Sequence, residues 1–418
     1  MRNVLLLALL LVNCSRNVLA AVQPVVVTGT GDAKRDVTAV QAAVDRGGQV
    51  VLVGHFSFDI PPTKPAGAAH SRMITVSKQV VISGNRDQHG EVPAIVSGFF
   101  PFLIDAPNSS VSIRGLRFVR PKGGAIWSYS VRGLMIANCQ VEGVEPSAEL
   151  GHYGGIPRPV AIAIFVGSNR SLPRADLAEQ SENNSGGLSI LNNDIDVGGT
   201  NGDQTLAINV FDVGKSPDKK ANVHISGNKI RNITERAIAV NQVGGRVHTD
   251  RNVITTGSIT GPSNGIQPDV IHAVGSGRYL IANNSIVSEW ATGAGIRVQG
   301  NVGAESNALV VDNDIAMSAP EETIFGANSA GIEIRGSAQA NTVRNNRIRG
   351  HARAALAVVV QNGAIPRKNT FLSNNLKGFH ASLTTVFVDA GVTDTVVDNH
   401  EMPGDDHRVG NQINIRKR

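Results

Sequence analysis

NVHISGNKIRNITERAIAVNQ, residues 222–242, contains three short alternating runs separated by two corners. Val223 and Ile225 alternate with polar residues and Gly227-Asn228 interrupts them. Ile230 resumes the alternation, residues 232–236 are polar, and Ile238 and Val240 alternate again. Three strands in about 20 residues make one turn of a coil better than a hairpin, because the unit recurs at a roughly fixed period to the end of the chain.

Counting outward from that stretch, the corner falls at Asn85, Leu116, Cys139, Asn193, Asn228, Asn252, Asn284, Asn313, Asn346, Asn374 and Asn399. An aliphatic residue follows two positions later at Ile195, Ile230, Ile254, Ile286, Ile315, Ile348 and Leu376. A turn preference for Asn does not explain that fixed offset, whereas an internal asparagine ladder does: each Asn takes the αL-like bend and its amide bonds to its neighbours in the stack. With coils about 4.8 Å apart, eleven of them predict a rod on the order of 50 Å long, flanked by parallel sheets.

The composition agrees. Aromatic residues are only 4% of the 418 and glycines number 45, so a large core has to be built from small aliphatic side chains. Residues 1–20 carry a charged start, the apolar run VLLLALLLV at 4–12 and Val18-Leu19-Ala20, which together predict a secretory leader; lipid anchoring at Cys14 is the lesser alternative. Cleavage after Ala20 would remove Arg2 and Arg16 and take the formal charge from +5 to +3, permitting an acidic substrate without demanding one. Cys139 would then be the sole cysteine, leaving no intramolecular disulfide.

At the start of the expected mature chain, residues 24–28 read as a strand and are followed by Gly29-Thr30-Gly31-Asp32. Asp36 caps an expected helix with Val37, Val40 and Val44 on one face; Gly47-Gly48 ends it, and QVVLV (49–53) is the next strand. This order, with Gln41 inside the helix, resembles the N-terminal cap of pectate-lyase-like right-handed parallel β-helix proteins. Such a cap would cover the apolar end and the unpaired edges of the first coil. We therefore expect an all-β, single-stranded right-handed parallel β-helix of about 11 coils. Its parts are a cap over 21–60, the helix over 61–405 and a tail over 406–418.

In that family the asparagine corner lies between the second and third strands, and substrate binds the outer face of the strand after the variable loop. The resemblance implies that this strand is AIWSY (125–129), AIAIF (161–165), AINVF (207–211), AIAVN (237–241), GIRVQ (295–299), GIEIR (331–335), ALAVV (355–359) and TVFVD (385–389). Period two turns Ile126, Ile162, Ile208, Ile238, Ile296 and Ile332 inward. One outward column then holds Trp127, Ala163, Asn209, Ala239, Arg297 and Glu333, the other Tyr129, Phe165, Phe211, Asn241, Gln299 and Arg335. For the coil between 252 and 284 a strand at 269–273 is preferred over 265–269, which would bury Pro268 in a ladder; it turns His272 outward beside Asn241 and Gln299. Long loops at 142–160, with His152-Tyr153, and 168–186 flank AIAIFV.

Trp127, Tyr129, Phe165 and Phe211 offer rings for sugar stacking, and Asn209, Asn241 and Gln299 offer amides. The lyases of this family abstract the proton beside a uronate carboxylate. By that resemblance His272, Arg297 and Arg335 would supply the base or the neutralising charge, while Asp269 or Glu333 would hold a calcium ion or act as general acid. The plain alternative is a surface ion pair between Arg297 and Glu333 on adjacent coils. The paired aspartates of polygalacturonase relatives, the Asp-Pro-His-Asp motif of alginate epimerases and calcium-binding nonapeptides are absent from the sequence. We expect an exported, monomeric carbohydrate-active protein whose partner is a polysaccharide, with a lyase of an acidic one as the leading activity, and no nucleic acid. The rival is a non-catalytic β-helix that binds glycans or a surface partner.

Overall fold

The computed structural model describes residues 23–60, 73–86, 90–147, 160–167, 184–198, 204–216, 218–257, 269–289, 293–301, 306–318, 329–398 and the backbone of 413–415. The leader, the loop tips including His152-Tyr153, Asn399 and most of the tail lie outside the described residues. Among the described residues no helix is long and apolar enough to cross a membrane.

Each coil contributes one strand to each of three parallel sheets, as a right-handed parallel β-helix requires. Sheet 1 includes Val160–Gly167, Gln204–Phe211, Arg236–Asn241, Ile271–Val274, Ala294–Gly300, Ala330–Gly336 and Ala354–Val359. Sheet 2 includes Gly186–Leu191, Ala221–Ser226, Arg246–Asp250, Arg278–Ala282 and Asn307–Val311. Among the described residues sheet 3 has eleven strands, from His55–Ser57 to Phe379–Ala381; ten follow the expected corners from Asn85 to Asn374, and His55–Ser57 precedes them within the expected cap. Phe102–Arg114 and Ile126–Ala137 run from sheet 1 into sheet 2 without a break and join the two.

The core is a set of aliphatic stacks. On sheet 1 Ile126, Ile164, Ile208, Ile238, Ile271, Ile296, Ile332 and Leu356 lie in register on successive coils, all buried. Sheet 3 repeats the device with Ile195, Ile230, Ile254, Ile286, Ile315 and Ile348. One branched side chain per level fills a narrow lumen, which is why so few aromatic residues suffice.

The asparagine ladder runs unbroken from Asn193 to Asn374. At each step the backbone N–H and Nδ2 of one Asn donate to Oδ1 of the next at 2.8–3.1 Å. The bend does not fall where expected. Positive φ belongs to the preceding residue: Asn192 (54°), Gly227 (67°), Arg251 (54°), Asn283, Asp312 and Asn345 (56° each) and Ser373 (52°). The ladder Asn must point its amide inward along the stack, so its neighbour takes the αL turn. A second stack stands at the corner entering sheet 2, where Asn341 Nδ2 donates to Asn369 Oδ1 at 2.8 Å and Ala308 N donates to Asn341 Oδ1.

The cap is helix α1, Ala33–Arg46, ended by Gly47 at φ 74°. Its N-cap is Asp32, which accepts from Arg35 N, rather than Asp36. Asp36 instead is buried and accepts from Thr30 N, Gly31 N and Ser57 N, tying the entry loop to the first sheet 3 strand. Gln41 completes the cap: its amide both donates to Thr75 O and accepts from Thr75 N, substituting for a neighbouring strand.

Candidate functional site

The outer face of sheet 1 carries the expected residues, in a corrected register and without the expected exposure. Phe165 pairs with Trp127 and Asn209, so Ile164 and Ala163 face the lumen and Ile162 lies outside it. AIAI permits both frames, and the chosen one stacks the Phe165 ring 5.8 Å from Trp127 at 31°. His272 pairs with Ala239 and Arg297, while Val274 occupies the place beside Asn241 and Gln299. The strand here is Ile271–Val274, which overlaps the preferred 269–273, and it sets His272 in the column of Arg297 rather than beside Asn241 and Gln299.

Trp127, Tyr129 and Phe165 belong to a second apolar cluster, outside the lumen, with Phe99, Phe100, Leu103 and Met73. Phe211 packs against it half-buried, and Trp127 Nε1 donates to Gly167 O at 3.1 Å. These rings present no open face to a sugar, since other side chains already occupy the packing surface. Asn209 and Asn241 are buried as well, and half-buried Gln299 donates to Asn301 Oδ1.

Further along the same face lies a buried charge network. Arg297, 2% exposed, donates from Nη1 to Asp269 Oδ2 at 2.5 Å and from Nε and Nη2 to Glu333 Oε1 and Oε2 at 3.0 and 3.3 Å. Arg335 Nε lies 2.9 Å from Glu333 Oε1, and Arg236 Nη1 lies 3.2 Å from Glu235 Oε1. Three carboxylates thus face three guanidinium groups, and the pairing of Arg297 with Glu333 is interior, not the surface pair considered from sequence. Burial pushes the Asp269 pKa up, against the charges of Arg297 and Arg236. Burial likewise raises Glu235 and lowers Arg335. His272 is held well below its ordinary value by burial and then by Arg236, Arg297 and Arg335, so its imidazole is neutral. A side-chain hydrogen bond with Gln299 acts against this lowering, and Nδ1 is 3.6 Å from Asp269 Oδ2. Asp269 is poorly placed for calcium, because Arg297 and Ala294 N already occupy both of its oxygens.

The open concavity lies one corner onward, where sheet 1 turns into sheet 2. It is a cleft of about 1000 Å³ lined by Lys215, Lys220, Arg246, Arg278 and the amides of Asn222 and Gln242, among others. Its shape follows from turn length. The corner takes residues 212–220 and 301–306 at the flanking coils but only 242–245 and 275–277 between them, leaving a saddle. Asn222, Arg246, Arg278 and Asn307 lie in register across four coils. Arg246 and Arg278 are exposed and, among the described residues, paired with no carboxylate; Lys215 is paired with Asp212. Adjacent like charges repel at the spacing of about 4.8 Å between strands, a cost that a bound anion would remove. None of these residues was singled out from the sequence. A signal existed, since all four registered residues stand six positions before a ladder Asn (228, 252, 284 and 313).

Residues 263–404 match the family described as the right handed beta helix region. No curated protein is matched. Solved structures similar to this chain include PfbA, a surface adhesin of Streptococcus pneumoniae (13% identity, TM-score 0.45, 85% of this chain and 91% of that one); the A-module of the Azotobacter vinelandii mannuronan C-5 epimerase AlgE4 (10%, 0.38, 93% and 98%); and the Dettilon tailspike protein (11%, 0.34, 93% and 68%). At these identities and scores the likeness carries no argument about this chain.

Proposed function

We propose that this chain is an exported protein that binds an acidic polysaccharide in the cleft between sheets 1 and 2. The observation that carries this is the registered, unpaired Arg246 and Arg278 in the floor of a concave saddle. Guanidinium groups bind uronate or sulfate oxygens bidentately, and the flanking amides suit sugar hydroxyls. Among the described residues the cleft is lined by basic and polar side chains and glycines, with no aromatic ring. The leader read at residues 1–20 supports export.

The test is affinity electrophoresis and calorimetry against polyuronates, sulfated glycans and a neutral glucan, at two salt concentrations. Acidic polymers should bind with a salt-dependent affinity that Arg246→Glu/Arg278→Glu abolishes while leaving the circular dichroism unchanged. Equal binding of the neutral glucan, or retention by the double variant, would remove the cleft from consideration.

A second reading adds turnover, as a lyase, and rests on His272. A neutral imidazole beside guanidinium groups suits proton abstraction next to a carboxylate. Because His272 is buried, the polymer would have to part the residues that shield it. Unsaturated ends released by the wild type and not by His272→Ala, with binding kept, would support the lyase. Binding without unsaturated ends leaves a non-catalytic binder.

A further inference from the structure

We propose that His224, His248 and Asp250 form a binding site for a divalent transition-metal ion of the zinc class on the outer face of sheet 2. The strands Ala221–Ser226 and Arg246–Asp250 pair in register, which sets His224 beside His248 and Ser226 beside Asp250. The two imidazoles stack with centroids 5.0 Å apart and planes 17° apart. Nε2 of His224 lies 3.1 Å from Asp250 Oδ1 and Nε2 of His248 lies 3.9 Å from Oδ2; all three donor atoms fall within 4.8 Å of one another. Zinc–ligand bonds of about 2.0–2.1 Å in a tetrahedron separate ligands by roughly 3.4 Å, so small side-chain rotations close this set on an ion.

The surroundings agree with that role. Both histidines are half-exposed, with side chains 39% and 43% accessible, which leaves a fourth position open to solvent, while the Asp250 carboxylate is 8% accessible and fixed. Ser226, His224, His248 and Arg251 surround the Asp250 carboxylate and orient it. Arg251 Nε donates to Oδ2 at 2.8 Å and its Nη2 to Ser226 Oγ at 3.2 Å; this side chain, 67% accessible, would give up the Oδ2 bond when an ion takes that oxygen. Two imidazole nitrogens with one carboxylate select zinc, cobalt, nickel or copper over calcium or magnesium. Since His248 stands two residues along its strand from Arg246, the open position faces the same surface as the basic cleft, roughly 7 Å from it. The site does not depend on the polysaccharide reading.

The experiment is a Co²⁺ titration of the chelator-stripped full chain, followed by visible absorption and by competition with Zn²⁺. The wild type should take up one ion with a tetrahedral or five-coordinate spectrum. His248→Gln and Asp250→Asn should each weaken binding at least about tenfold. His380→Ala should change nothing: His351 and His380 are also in register, but on sheet 3 and outside the three-ligand group. The proposal is overturned if the wild type shows no such spectrum, if His248→Gln and Asp250→Asn bind as the wild type does, or if His380→Ala weakens binding equally. Circular dichroism of each variant establishes that it is folded.

Discussion

Arg297→Met tests what the buried network on sheet 1 does. The native guanidinium makes three hydrogen bonds to two carboxylates that are almost entirely enclosed. Methionine conserves most of the volume and removes the charge, leaving Asp269 with only the Ala294 N–H and Glu333 with Arg335. Breaking one partner out of a buried ion network costs about 3–5 kcal/mol, because the remaining charge stays buried and uncompensated. The penalty should depend on pH. The Asp269 pKa is already raised in the folded protein, so its contribution to stability is greatest below its unfolded value of about 3.9 and falls as pH rises. Losing Arg297 raises that pKa further. The variant should therefore lie close to wild type near pH 4 and show its full deficit near pH 7.5, where folding must bury the ionised carboxylate or take up a proton. Adding Asp269→Asn removes one stranded charge, and the double variant should cost less than the two single changes together by roughly 1–3 kcal/mol. Guanidinium chloride unfolding followed by far-UV circular dichroism at both pH values reads all of this. A deficit below about 1 kcal/mol at pH 7.5, or one of equal size at pH 4, would refute the view that Arg297 is the counter-charge of this interior.

Three further outcomes follow from the coil itself. Asn252→Ala removes the two bonds its amide donates, to Ile225 O and Asn284 Oδ1, and the two its Oδ1 accepts from Asn228; it should cost about 2–4 kcal/mol, while exposed Asn375→Ala should cost little, both measured by denaturant midpoint. Asp312→Val places a β-branched residue at φ 56° and should destabilise by about 1–2 kcal/mol, whereas Asp312→Gly should not, read by thermal unfolding. The Cys139 thiol, pushed by burial to about 11, should resist a thiol reagent at pH 8 in the native protein and react at the rate of unfolding.

The rod was legible because its signals are local and repeated. Asn228, Asn252 and Asn284 each precede an inward isoleucine by two residues, and a stack admits only one arrangement of that pair. The errors came where a pattern admits two frames or where one residue's role depends on another's. AIAIF at 161–165 alternates equally well from Ala161 or from Ala163, and the choice is made by Trp127 on the preceding coil, 38 residues away in sequence. Asn192 and Asn193 are adjacent and chemically identical, so only the direction of the amide decides which one bends. The Asn341 and Asn369 stack was readable in principle: both precede Thr, 28 residues apart, the same interval that separates ladder residues Asn346 and Asn374.

The candidate site was less legible, for a reason that applies to any solenoid. Period two divides side chains between the lumen and the outside of the coil, yet outside the coil is not the same as exposed to solvent. Phe99, Phe100 and Met73, from other parts of the chain, cover Trp127 and Tyr129, and no alternation within residues 125–129 can reveal that. Similarly, Arg297 and Glu333 looked like outward residues on neighbouring rungs, and only the burial of Asp269 beside them turns a surface pair into an interior network. Openness is set instead by turn length at the corners, because a rung held at about 4.8 Å from the next has no other way to recede. Two short turns between sheets 1 and 2, at 242–245 and 275–277, stand between longer ones and immediately precede Arg246 and Arg278. Function in this chain is therefore best sought where short turns stand between longer ones and the outward column carries unbalanced charge.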